Sequence, residues 1–224
     1  MAPDFDRIKV DRIRSAAAEG AGAVLARATR ALSAVRPSLK PLHPQGKVVE
    51  ARLDRMGARP PTGVPWLDEA GVDEVLVRRS RAVGLPEGAP DIHGLALRVP
   101  REDGYGDLLL ASTGLGRVTR FVLTGSRSPL GRPLTTLLPY RTPHGPLLLA
   151  AVPQADHEYR LECASPTGPW RPFGTLRLSG TESADALVSF DPVRNTVPGL
   201  ENYEWVRRLR EPAYLTARRT RDRD

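Results

Sequence analysis

Between Val48 and Leu178 the chain repeats one kind of unit: a short apolar or alternating run closed by glycine, proline or polar turn residues. The first run carries Val48, Val49, Ala51 and Leu53, with Glu50 and Arg52 between them. A period of two puts one set on a core face and the other on the opposite face, as a half-buried strand requires. In Val72–Arg81, Val75 and Val77 face one way, Leu76 and Arg78 the other. Asp91–Val99, Asp107–Ala111, Val118–Leu123, Leu134–Tyr140, Leu147–Val152, Tyr159–Cys163 and Phe173–Leu178 read as further strands. No helical segment separates them, which excludes parallel β-α-β units. Short strands at even spacing predict an antiparallel sandwich or closed barrel.

Helical periodicity is confined to the two ends. Ile8, Val10, Ile13, Ala17, Val24, Leu25, Ala28, Leu32 and Val35 recur at helical spacing among arginines, with Gly20 and Gly22 as a break. Such a helix packs across a domain or an oligomeric mate, or meets a membrane surface. From Glu201 the pattern returns to helix, with Pro212 either kinking it or standing in the first turn of a new one. The expected organisation is a helical extension over residues 1–38, then one domain over 39–224 that ends in helices.

Charge and cysteine content narrow the partners. The sequence has 33 Lys and Arg against 26 Asp and Glu, a net charge of +7, and only Lys9, Lys40 and Lys47 are lysines. The arginines are spread along the chain and aromatics make up 5% of it, which argues against a nucleic-acid surface built on base stacking. The single Cys163 excludes an internal disulfide and a thiolate metal cluster, and reads as a small core residue. No early apolar run marks a secretory signal and no stretch is long enough to span a bilayer, so the expected location is the cytoplasm.

One pair near the C-terminus carries chemistry. Arg210 and Tyr214 are four residues apart and share a helical face. A guanidinium beside a phenol favours the phenolate, and phenolate is a haem-iron ligand. On these two residues alone, a packing role in an Arg-rich helix stands beside the ligand role.

Local motifs elsewhere resemble those of the haem catalases and their shorter catalase-related peroxidases. Leu42-His43-Pro44-Gln45-Gly46 resembles the family's Val-His-Ala-Lys-Gly, which carries the distal histidine. Val77-Arg78-Arg79-Ser80 resembles Val-Arg-Phe-Ser, and residues 91–98 resemble Asp-Pro-Arg-Gly-Phe-Ala-Val-Lys, followed by Asp107-Leu108-Leu109 for Asp-Leu-Val. Phe190-Asp191-Pro192, Pro198-Gly199-Leu200-Glu201 and Arg210 with Ala213-Tyr214 look like Phe-Asp-Pro, Pro-Gly-Ile-Glu and Arg-x-x-Ala-Tyr, in the same order. The resemblance covers residues 42–113 and 190–221. It departs at the distal asparagine, which falls on Ala111; at the arginine before the distal histidine, replaced by Pro41; and at His93, where the family has arginine.

The resemblance implies an α+β fold: a catalase-like antiparallel β-barrel with a helix before it and a haem-ligating helix after it. It implies haem b as cofactor, with Tyr214 as the metal ligand and Arg210 keeping it deprotonated. His43 is then the distal acid/base, Ser80 fixes its tautomer, and Arg78 and Arg221 meet the propionates. The implied activity is that of a haem peroxidase or hydroperoxide-converting enzyme, with weak catalase activity at most because of Ala111. Its substrate is a small peroxide or an organic hydroperoxide, and a homo-oligomer follows by family analogy. Two other functions remain open: a non-catalytic protein holding haem or another hydrophobic ligand on the same barrel, and a basic scaffold that binds nucleic acid or acidic lipid through the helix over 8–36.

Overall fold

The structure is a computed structural model that describes residues 46–82, 88–184 and 188–208. The expected helix over 8–36, His43, Arg210, Tyr214 and Arg221 lie outside these residues.

The strands are β1 (Gly46–Arg55), β2 (Gly71–Arg81), β3 (His93–Arg101), β4 (Gly104–Ser112), β5 (Leu134–Thr135), β6 (Tyr140–Thr142), β7 (Gly145–Ala155), β8 (Glu158–Ala164), β9 (Arg171–Ala184) and β10 (Glu201–Asn202). A short helix, α1 (Pro65–Asp68), lies between β1 and β2. The sheet order is β10-β6-β7-β5-β4-β3-β2-β1-β9-β8, and β7 also pairs with β8. That extra pairing closes β7, β5, β4, β3, β2, β1, β9 and β8 into an eight-stranded antiparallel barrel, and β6 and β10 extend outward from β7. Closure removes the exposed sheet edges that would otherwise invite pairing with other chains.

The period-two pattern decides what fills the barrel. Val49 stands opposite Val77, Val77 opposite Leu97 and Leu97 opposite Leu108, and all four are buried in one core. Residues in register point to the same side, so this row marks the interior of β1 to β4. Leu53, Tyr159, Cys163, Phe173 and Leu176 fill the rest. The interior is a packed core. Burial raises the pKa of the Tyr159 phenol, with a smaller opposing effect from Arg79. Burial also raises the pKa of the Cys163 thiol.

Three expectations needed correction. Val118–Leu123 is not a strand but a turn around a short 3-10 helix, Thr119–Phe121. The Thr119 hydroxyl accepts from the amide of Gly116 at 3.0 Å, and Arg120 folds back onto the carbonyls of Leu115 and Gly116. These local bonds offer the backbone an alternative to a ladder. Leu134–Tyr140 is interrupted: Leu137 takes a φ of 59°, which turns the chain and separates β5 from β6. Glu201 and Asn202 pair with Arg141 and Tyr140, so helix begins only at residue 204. Among the described residues, no helix is long and apolar enough to cross a membrane.

Candidate functional site

The outer face of β1 to β4 is built in rows. Gly46 stands opposite Ser80, Ser80 opposite Gly94, and Gly94 opposite Ala111. Each differs in parity from the interior row, so all four face outward. The next outward row is Val48, Arg78, Ala96 and Leu109. Four adjacent strands thus present a face of small and aliphatic residues across three strand spacings, about 14 Å. Arg78, Ser80, Gly94, Ala96, Leu109 and Ala111 are half-buried.

Arg78 lies along this face. A Cβ on Gly46 would come within 2.4 Å of its guanidinium carbon, so the arginine head lies directly over the start of β1. The guanidinium therefore lies at the margin of this face, beside the start of β1.

Two borders frame the face. The third outward row is Glu50, Leu76, Arg98 and Asp107. Here Arg98 donates from Nε and Nη2 to the two oxygens of Asp107 at 2.8 and 2.9 Å. Asp107 also accepts from the amide of Asp191 at 2.8 Å and from Asn195 Nδ2 at 2.8 Å. Arg98 stacks against Tyr105 and Phe190, at 3.8 and 4.8 Å from the ring centres. The segment that follows the barrel is thereby fixed across β3 and β4. Close approach continues at Gly106, where a Cβ would lie 2.7 Å from Val197 Cγ2. Asp191 also caps its own turn by accepting from the amides of Val193 and Arg194 at 3.0 and 3.1 Å.

The second border is the turn at 114–122. In the first row Ala111 stands opposite Thr135, whose hydroxyl donates to the carbonyl of Arg120 at 2.8 Å. Farther down the outer face the chemistry changes. Glu158, Arg177, Asp54, Arg52 and Glu74 make a ladder of exposed ion pairs at 3.0, 2.7, 3.0 and 3.8 Å. The charged residues are satisfied there, while the end near Gly46 is kept small and apolar.

Of the residues the sequence singled out, Ser80 and Arg78 fall on this face, and Ala111 stands two strands from Ser80 in the same row. His43, Arg210, Tyr214 and Arg221 lie outside the described residues. His43 precedes Gly46 by three positions, and Gly46 is the register partner of Ser80. His93 is not on the face: it has the parity of the interior row, is buried, and its Nε2 lies 2.9 Å from the carbonyl of Ser126. His144 and His157 are exposed. Sequence reasoning missed Val48, Gly94, Ala96 and Leu109 as site residues. The signal was present as the half of each strand pattern that does not face the core, unusually poor in charge near Gly46.

The architecture matches solved catalases. A bacterial catalase superposes over 76% of this chain and 55% of its own, with a TM-score of 0.51 and 12% identity. Catalase A from Saccharomyces cerevisiae covers 78% of this chain and 59% of its own at a TM-score of 0.54 and 10% identity. A fungal catalase covers 79% and 58% at 0.53 and 13%. The fold is catalase-like. This chain spans less than two thirds of the length of those catalases. No protein-family model and no curated protein matches the sequence.

Proposed function

We propose that the chain is a haem-dependent enzyme that converts hydroperoxides, with the porphyrin lying against the outer face of β1 to β4. The observation that carries this reading is the row Gly46–Ser80–Gly94–Ala111. It joins on one surface the four separate segments, on β1 to β4, that resemble haem catalase motifs. The described residues fit the group: the first row is small, the next adds only Val48, Ala96 and Leu109 beside Arg78, and a guanidinium at the margin is the side chain that suits a propionate.

In this reading Tyr214 holds the iron as a phenolate, Arg210 keeps it anionic, and Arg78 and Arg221 take the two propionates. Bound there, haem supplies ferric iron whose anionic ligand favours O–O cleavage. His43 carries a proton from one peroxide oxygen to the other, which typically contributes about 10² to 10⁴ in rate. Ser80, opposite the strand end that follows His43, accepts or donates at the far ring nitrogen and fixes the tautomer. Ala111 offers no amide to a small peroxide and leaves room for a larger one, which favours an organic hydroperoxide over hydrogen peroxide. The single, buried Cys163 is consistent with a reducing cytoplasm.

Haem titration tests the location. The wild-type chain should develop a Soret band at one equivalent, and Ala111→Trp should abolish it without changing the far-ultraviolet circular dichroism. Undiminished haem uptake by Ala111→Trp would move the cofactor off this face. Loss of peroxide turnover in His43→Ala, with haem retained, is the expected sign of the acid/base.

A further inference from the structure

Between Asp107 and Asp156 the sequence has no acidic residue, yet it carries Arg117, Arg120, Arg127, Arg132 and Arg141. Arg120 and Arg141 are engaged within the fold. Arg141 pairs with Glu201 across β6 and β10. Arg117, Arg127 and Arg132 are exposed, and no ion pair engages them among the described residues. All three belong to the connection from β4 to β5, residues 113–133, which is tied at its base by the amide of Thr113 on the carbonyl of Pro133 at 2.9 Å.

Arg120 makes the first part of this connection rigid. Its guanidinium donates to Ser165, Gly168 and Leu115 carbonyls at 3.0, 3.1 and 3.1 Å, its Nε to Gly116 at 3.1 Å, and it stacks on Trp170 at 4.7 Å. With the base clamped, the turn holds Val118 at 73% exposure and Val122 at 44%. These valines gain nothing from water, and a clamped turn cannot fold them inward.

From the exposed valines and exposed cations that share this one connection we propose that residues 113–133 dock on an anionic lipid surface, with Val118 and Val122 entering the interface and Arg117, Arg127 and Arg132 on the headgroups. Cations flanking exposed aliphatic side chains are what such an interface rewards. Single-stranded nucleic acid would want stacking platforms, and the one aromatic residue of the connection, Phe121, is half-buried in the turn. The turn also stands one strand beyond Ala111, over Thr135, so a docked bilayer would lie beside the small-residue face. The surface does not depend on the haem reading.

The test is sedimentation of the full chain with phosphatidylcholine vesicles, with and without phosphatidylglycerol, at low and high salt. The chain should bind only the anionic vesicles and leave them at high salt. Arg117, Arg127 and Arg132 changed together to Gln should weaken binding about 100-fold, and Val118→Asp about tenfold, with melting temperatures unchanged because all four positions are exposed. Equal binding to neutral vesicles, or no binding, overturns the proposal. So does unchanged binding by both variants, which would assign lipid contact to another basic segment such as 8–36. If vesicles are ignored while an oligonucleotide is lost by the arginine variant and kept by Val118→Asp, the surface reads nucleic acid instead.

Discussion

Asp107 and Arg98, directly opposite in β4 and β3, form a two-point ion pair of 2.8 and 2.9 Å on the outside of the barrel. The carboxylate side chain is fully buried, and its remaining capacity is taken by Asp191 and Asn195. One side chain therefore joins the barrel to the segment that leads towards Arg210 and Tyr214. Removing a partner of a buried pair leaves the other charge uncompensated, at a cost of about 3–5 kcal/mol. Asp107→Ala should lose stability of that order in urea unfolding. Arg52→Ala, in the exposed ladder, should stay within about 0.5 kcal/mol of wild type.

Arg120 is buried with backbone carbonyls around it. Among the described residues no carboxylate pairs with it, and burial lowers its pKa. Its planar fork reaches carbonyls on the 114–116 turn and on the 165–168 turn together. A lysine cannot reproduce that geometry. Both Arg120→Lys and Arg120→Met should destabilise by about 2–4 kcal/mol in chemical denaturation, because carbonyls are left unpaired. Full retention of stability by the lysine variant would mean that charge, and not the fork, is what the turn needs.

The buried Tyr159 sets an alkaline limit. Its folded-state pKa lies above the ordinary value, mainly through burial, so the neutral phenol is favoured in the fold. The stabilisation is complete below the unfolded pKa of about 10 and is lost as pH rises from there through the folded value. Thermal melts of the wild type should fall from about pH 10 upward, and Tyr159→Phe should show a flatter fall over the same range.

In the proposed haem site, Ala111 stands where the resemblance to the haem catalases would place an asparagine. An amide there would add a hydrogen bond to a small peroxide, and one such bond is worth roughly tenfold in rate. Ala111→Asn should raise hydrogen peroxide turnover by about that factor and lower turnover of a bulky organic hydroperoxide, measured on the haem-loaded protein by oxygen release and substrate loss.

The barrel was legible because its information is local and has a period of two: Val49, Val75, Val77, Leu95 and Leu97 alternate with outward residues and are buried as a set. The short 3-10 turn at Thr119 was not: its apolar run reads as a strand, and the local bonds of Thr119 and Arg120 that turn the chain are joined by a bond from Arg120 to the Ser165 carbonyl, 45 residues on, that no local pattern foretells. The same limit applies to the split at Leu137, where φ is 59° and β5 and β6 on either side each pair with the distant β7. For the site, the motifs pointed to Ser80 and Arg78, while the row that joins Ser80 to Gly94 and Ala111 is a matter of register. Register depends on which strands pair, and the sequence pattern alone does not specify that.

The visible spectrum of the haem-reconstituted chain, beside that of Tyr214→Phe, tests the central claim most directly. A ferric phenolate spectrum in the wild type, lost or shifted in Tyr214→Phe, is the predicted result. Identical spectra for the two proteins would contradict it.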